Sequence, residues 1–544
     1  MPMIRNSSGN WRVALPAISL TAVCVVLPFL YYGIPSGHDF EFHVNSWIEV
    51  VDHWKQGVIY PHWAALAHYG YGEARFIFYP PISWTLGAFL GLILPWKVVP
   101  TAYIIVVLTL SGCSMFVLAR RWLQPAEAVW AAVFYTANPY HLVVVYWRSA
   151  FAELLAAAYF PLLLLLVLQL NEEGLGVVPW LSLLVGAVWL TNVPSAVMMS
   201  YSLALLVLWL VLYRHSWKPG LYGLLSLVIG TMLAGAYLLP VFHERGWINI
   251  SEVLASGVHP TANFLFTVTH DPDHNRFNRI VSVVGLWEIL VLALSLRLAK
   301  RRCAPKLWWA ILVWGAAWTV LMVKWTLPLW NHLPELKYVQ FPWRPLLCMN
   351  VPVALAIVAG FERRWLRAIA CLVAISSVPL VWERIQPPWW DSPADIQEMV
   401  ENQHDKIGNE GVDEYVPAGV DPYEASQNAP LVRFEGSGTA KIRIERWRAE
   451  SRSVVADSSA DGSLVLRLFN YPLWRVTVND DVVNTSTTEP SGQMIVPIGP
   501  GENRVQIVFV PDQYKGFGVV ISGVGIVVVG LIFFKSRRLV TVPA

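Results

Sequence analysis

Residues 36–43 read SGHDFEFH and set two carboxylates, Asp39 and Glu41, among two imidazoles, His38 and His43. They follow an apolar run, 13–34, that is long enough to cross a bilayer. Ionisable groups held level with a membrane surface are functional candidates, and a carboxylate there can take the proton of an attacking hydroxyl. A solvated helix flank is the plainer alternative for Asp39. The Asp-x-Glu spacing would suit one divalent cation if the backbone is extended, because both side chains then project the same way. Further along, YWRSAFAELLA carries Arg148 just before an apolar helix and Glu153 at its start, where the helix dipole favours negative charge. QFPWRPLL places Arg344 between Pro342 and Pro345 at another helix entrance. A guanidinium fork suits phosphate or pyrophosphate, although a lipid headgroup at the interface would satisfy it equally. HDPDH at 270–274 has metal-ligand residue types at a spacing that matches no standard zinc pattern, so loop 243–279 reads as a mobile, substrate-gating loop.

The elements that must carry these groups are membrane helices. Of 544 residues, 56% are hydrophobic and 14% charged, against roughly 25% charged in soluble domains. Net charge is +2, which gives no reason to invoke nucleic acid. The five cysteines lie in apolar segments or one basic loop, so neither a disulfide framework nor a CxxC metal site is present. The first apolar run lacks a small-residue cleavage site and reads as a retained helix. Candidate spans are 13–34, 99–119, 126–145, 152–170, 175–191, 194–213, 221–242, 280–299, 307–328, 346–362, 365–382 and 516–534. The shorter stretch Ile82 to Pro95 is settled by charge. If it does not cross, the basic clusters at Arg5/Arg12, Arg120/Arg121, Arg214/Lys218, 297–306, 363–367 and 535–538 all fall on one side. It therefore reads as a juxtamembrane or re-entrant helix. The expectation is a mainly α polytopic protein of about twelve helices with both termini cytoplasmic.

That topology puts the longest polar regions, 35–98 and 383–515, outside, and any chemistry with them. Within 1–382 the helices form one membrane domain whose first outer loop is 35–98. Residues 383–430 read as a linker with one short helix. From 431 to 515 short alternating runs (KIRIERWRA, SLVLRLFN, WRVTVND, QMIVPIG, NRVQIVFVP) between turn sequences predict an exoplasmic β-sandwich. Residues 516–544 are a last membrane helix and a basic tail. Over 383–515 acidic residues outnumber basic ones 21 to 12, as suits a soluble domain rather than a binder of anionic lipid. Tyr471 and Trp474 fill the sandwich core or, alternatively, stack on sugar rings.

The order of these features resembles the C-class (GT-C) membrane glycosyltransferases: a first helix, an outer loop opening with Asp, the YPPISW helix, the ARRW turn, NPYHL and RSAFAE. HDFEFH, FYPPISW, YWRSAFAELLA, KYVQFPWRPL and DEYVP are similar, more narrowly, to a bacterial membrane family named as pyruvoyl-tetrahydropterin-synthase-related. The last strands, FNYPLWRVTVND to VPIGPGENRVQIVFVP, resemble that family's outer β-domain. The synthase in that name is a soluble zinc enzyme, and nothing here resembles its His-rich site. The GT-C resemblance implies an inverting transferase of the bacterial inner membrane. Its donor would be a sugar on polyprenyl phosphate, and its acceptor a glycan, lipid or protein met at the outer leaflet. By position Asp39 and Glu153 match the acidic residues of the first and second outer loops, taken as catalytic, with Arg148 the basic companion of Glu153. Glu41, His43, Arg148 and Arg344 are expected to bind substrate. Many relatives have one acid in the first loop, so a divalent cation on Asp39 and Glu41 is left open. A flippase for a lipid-linked sugar, which predicts polar residues at mid-bilayer depth, and a non-catalytic envelope assembly protein are the alternatives.

Overall fold

The computed structural model describes residues 8–373 and 390–540. The expected span 365–382 and the start of the linker thus lie partly outside the described residues, as does Arg5. The chain is a multi-pass membrane protein followed by a C-terminal β-sheet region. Among the described residues seven helices are long and apolar enough to cross a bilayer, or nine if each of two bent pairs is one span.

The difference from about twelve has physical causes. The run 221–242 is broken into Lys218–Leu233 and Gly235–Trp247, bent by 73°, and 307–328 breaks before Lys324–His332 at 84°. Stretches 175–191 and 346–362 fold as the short helices Val178–Trp189 and Leu346–Gly360. Ile82–Pro95 forms the short apolar helix Pro81–Ile93. A broken helix in lipid must find partners for its freed backbone groups. At the first break Ser522 of the last helix, Gln513–Val540, provides them. Its Oγ donates to Met232 O and Leu233 O at 3.2 and 3.0 Å and accepts from Ala236 N at 2.9 Å. The approach requires small residues: a Cβ on Gly518 would lie 2.4 Å from Gly235 O.

The C-terminal region contains two antiparallel sheets. One orders Val432–Gly436, Gly462–Phe469, Gln493–Ile498 and Ser486–Thr487. The other orders Ala440–Trp447, Ser451–Ser458, Gly501–Phe509, Trp474–Val478 and Asp481–Val482. The alternating runs read from the sequence are all strands, while Val432–Gly436 and the polar SRSVVADS strand were not anticipated. Alternation turns Leu464, Leu466 and Leu468 of one sheet and Val505, Ile507 and Phe509 of the other into a shared core. Tyr471 and Trp474 belong to that core, with Tyr471 OH donating to Glu244 Oε2 at 3.0 Å, so the sugar-stacking alternative is set aside.

The same core takes in Trp63, Tyr71, Ile77 and Phe78 from the 35–98 segment. Tyr71 stacks on Phe469 at 5.1 Å, and Phe469 N donates to Tyr71 O at 3.0 Å. A two-stranded ladder, Ile34–Pro35 with Trp390–Asp391, joins the end of the first helix to the start of the 390–430 segment. The expected short helix there is Pro393–His404, opened by a reciprocal Ser392–Asp395 capping box.

Candidate functional site

The loop SGHDF is stitched onto the turn that ends the Pro125–Arg148 span. That turn is a wide, π-type turn over Val144–Arg148, followed by Ser149 in the left-handed region at φ 47°. Single π turns inside helices re-aim side chains and favour functional sites. Here the exposed backbone is used: Asp39 N donates to Arg148 O at 2.9 Å and Gly37 N to Ser149 Oγ at 3.0 Å. Ser149 Oγ in turn donates to Pro35 O at 2.9 Å. Only glycine fits at 37, since a Cβ would sit 2.2 Å from Trp147 O.

Asp39 is the N-cap of helix Phe40–Lys55, yet its side chain makes no capping hydrogen bond. Its Oδ2 lies 3.8 Å from Arg148 Nη2, and the carboxylate is 40% exposed. Glu153 differs. It is 1% exposed, forms an ion pair with Arg148, and accepts from Arg344 Nε at 2.9 Å and Tyr140 OH at 2.6 Å. A carboxylate with both oxygens committed in this way orients two guanidiniums and is poorly placed to take a proton. Arg344 also donates through Nη1 to Val339 O at 2.7 Å, and its guanidinium stacks over Phe341. Neither arginine spends Nη2 on a hydrogen bond among the described residues, and a guanidinium has five N–H donors.

Asp39, Arg148, Glu153 and Arg344 all line one cavity of about 1210 Å³. Part of its lining is aromatic, with Phe42, Tyr79, Phe341 and Tyr415. A second part of the lining, around the broken helix, is Leu227, Val228, Met232, Leu238 and Phe242 with Ile521 of the last helix, and includes one charge, Arg245, whose guanidinium lies over Phe242. The cavity can therefore receive an amphiphile whose anionic head meets the arginines and whose chain lies along the apolar wall.

The two other expected substrate-binding residues are not in its lining. Helix formation from Phe40 onward overturns the extended backbone assumed for Asp-x-Glu, and positions two apart on a helix diverge, so Glu41 is exposed elsewhere. His43 is buried against Phe42, Trp47, Tyr79 and Phe151, and burial pushes it down to about 4, leaving it neutral. His38 does line the cavity, and burial lowers it despite the Asp39 charge. No three His, Cys, Asp or Glu side chains among the described residues are grouped to hold a metal. HDPDH opens a helix, where Asp271 caps the N–H groups of Asp273 and His274 at 2.9 and 3.3 Å.

Two acidic residues had escaped the sequence reading. Glu414, in DEYVP, lines the cavity near Asp39. Glu288 is fully buried midway along Pro272–Ala299. Asn138 hydrogen-bonds it, and the Asn350 amide joins the group, its oxygen accepting from His141 Nε2 at 3.0 Å. The signal for Glu288 was present as a lone acid inside an apolar run.

A family model described as 6-pyruvoyl-tetrahydropterin synthase related domain, membrane protein, matches residues 76–385. The chain belongs to that family of membrane proteins. The matched stretch contains Arg148, Glu153 and Arg344, while Asp39 and Glu414 lie outside it. No curated protein matches the chain.

Proposed function

We propose that the protein is a GT-C-type glycosyltransferase that moves a sugar from a polyprenyl-phosphate carrier to an acceptor at the outer face of the bacterial inner membrane. The observation that carries this reading is the cavity, which joins an apolar wall to two arginines and a half-exposed carboxylate. A lipid phosphate is an adequate leaving group at neutral pH, so the enzyme must activate the acceptor and stabilise charge on the departing phosphate. Asp39 takes the acceptor proton, and Arg148 and Arg344, held by Glu153, receive the phosphate. Attack opposite the leaving group inverts the anomeric centre. In this reading the spans number about twelve, the basic clusters face the cytoplasm, and the two sheets form an exoplasmic sandwich.

Glu288 and its polar neighbours favour a second reading, a flippase for a lipid-linked sugar, since transporters carry polar groups at this depth. Purified protein separates the two. Given polyprenyl-phosphate sugar and acceptor in detergent micelles, a transferase makes product, because it needs no opposite leaflet. Movement of labelled lipid across liposomes with no cleavage, unchanged in Asp39→Asn, would establish the flippase instead.

A further inference from the structure

Glu414 sits on a short turn, Asp413–Tyr415, that is fastened from three sides. Val412 N donates to Glu73 Oε2 at 2.7 Å, and Glu73 is itself held by Arg75 Nε at 2.5 Å and His68 Nε2 at 2.9 Å. Ala74 N donates to Tyr415 O at 3.2 Å, and Asn249 N to Val416 O at 3.0 Å. A backbone tied this firmly fixes the direction of the side chain between its anchors, and here that side chain enters the cavity. Around it stand aromatic rings: Tyr415 packs against Phe42 and Phe78, each at 6.4 Å between centroids, and Phe42 packs edge-on to Tyr79 at 4.7 Å. Carboxyl groups beside aromatic faces suit a ring with hydroxyls at its rim and C–H groups on its faces.

We propose that Glu414, with Tyr79 and Tyr415, forms the subsite for a neutral, hydroxyl-bearing ring within the cavity that the two arginines also line. The assignment rests on the lipid-phosphate-sugar reading and names the residues that hold its sugar. Burial raises the Glu414 carboxyl to about 7, so part of the population is protonated at neutral pH. A protonated carboxyl both donates and accepts, as paired sugar hydroxyls require.

The test uses full-length protein in micelles and two probes: a short-chain polyprenyl phosphate, and the same lipid phosphate esterified to a neutral hexose. Glu414→Ala should weaken binding of the glycosylated lipid by about tenfold and of the bare lipid by less than about twofold, as expected for one or two lost hydrogen bonds. Glu414→Gln, which keeps a donor and an acceptor, should retain most of the affinity for the glycosylated probe. Equal weakening of both probes in Glu414→Ala, or no weakening, overturns the subsite while leaving the lipid-phosphate reading standing. Wild-type protein that binds neither probe removes both.

Discussion

An aspartate at a helix N-terminus ordinarily gives its carboxylate to the first-turn N–H groups, as Asp271 does. Asp39 withholds its side chain from that role and turns it to a cavity with a guanidinium 3.8 Å away. Removing its charge should therefore cost little stability and much activity. Asp39→Asn is expected to lower transfer by about two to four orders of magnitude, with a thermal midpoint close to wild type. Glu153→Gln should do the reverse in part, because it leaves two buried guanidiniums without their shared counter-charge. Breaking a buried pair costs about 3–5 kcal/mol, so its unfolding midpoint should fall clearly. Arg148→Lys and Arg344→Lys should impair phosphate binding despite the retained charge, since an ammonium cannot reproduce the fork. Equilibrium unfolding and turnover, measured on the same preparations, check all four variants. The residues of this cluster were legible one by one, as charges at the ends of apolar runs. Their convergence was not, because Asp39, Arg148 and Arg344 are far apart in sequence and meet only in the fold, Asp39 through the π-type turn and Arg344 through Glu153. His43 misled for a related reason: two residues past the exposed Glu41 on a helix, it lies on the opposite face and is buried.

Between elements, the critical joints are close approaches that glycine permits. Gly37→Ala would drive a methyl group into the Trp147 carbonyl and shift Asp39 away from Arg148. We expect that variant to lose most of its activity while Asp39, Arg148 and Arg344 are all still present, and turnover of the purified variant reads this directly. Helix Phe40–Lys55 also carries Glu49, which is buried with Leu66 N donating to its Oε1 at 3.0 Å. Burial raises this carboxyl to about 7, with Arg75 opposing. Between an unfolded value of about 4.5 and the folded value of about 7, the folded state holds a proton that the unfolded chain has released. Stability contributed by this group is therefore full below about 4.5, falls as pH rises to about 7, and is level above that. Thermal midpoints of Glu49→Gln should show a shallower decline over that window than wild type. Elements of this kind were partly readable. Strands announced themselves by alternation, whereas SRSVVADS did not, because its buried face, Arg452, Val454, Ala456 and Ser458, is half polar. The broken helices read as continuous spans, since hydropathy is blind to a break that a serine on another helix satisfies.

At the scale of the whole molecule, the cavity depends on parts drawn from nearly the full chain: the SGHDF loop, the bent helix, the DEYVP turn and the last helix. The 35–98 segment and the C-terminal sheets share a core, so deleting 431–515 should expose Trp63 and Tyr71 and destabilise the cavity rim, a change visible as loss of detergent-solubilised monodisperse protein. Reporter fusions after Arg121, Arg302 and Arg364 should read as cytoplasmic, and fusions within 431–515 as external. An external signal after Arg121 would mean that Pro81–Ile93 crosses, and would place Arg148 on the wrong face for the proposed chemistry. The most direct measurement is an experimental structure of the protein with a polyprenyl-phosphate sugar bound. The account predicts the phosphate within hydrogen-bond distance of Arg148 and Arg344, the chain along Val228 and Phe242, and the sugar between Asp39 and Glu414. A lipid phosphate bound away from both arginines, with the cavity empty, would contradict it.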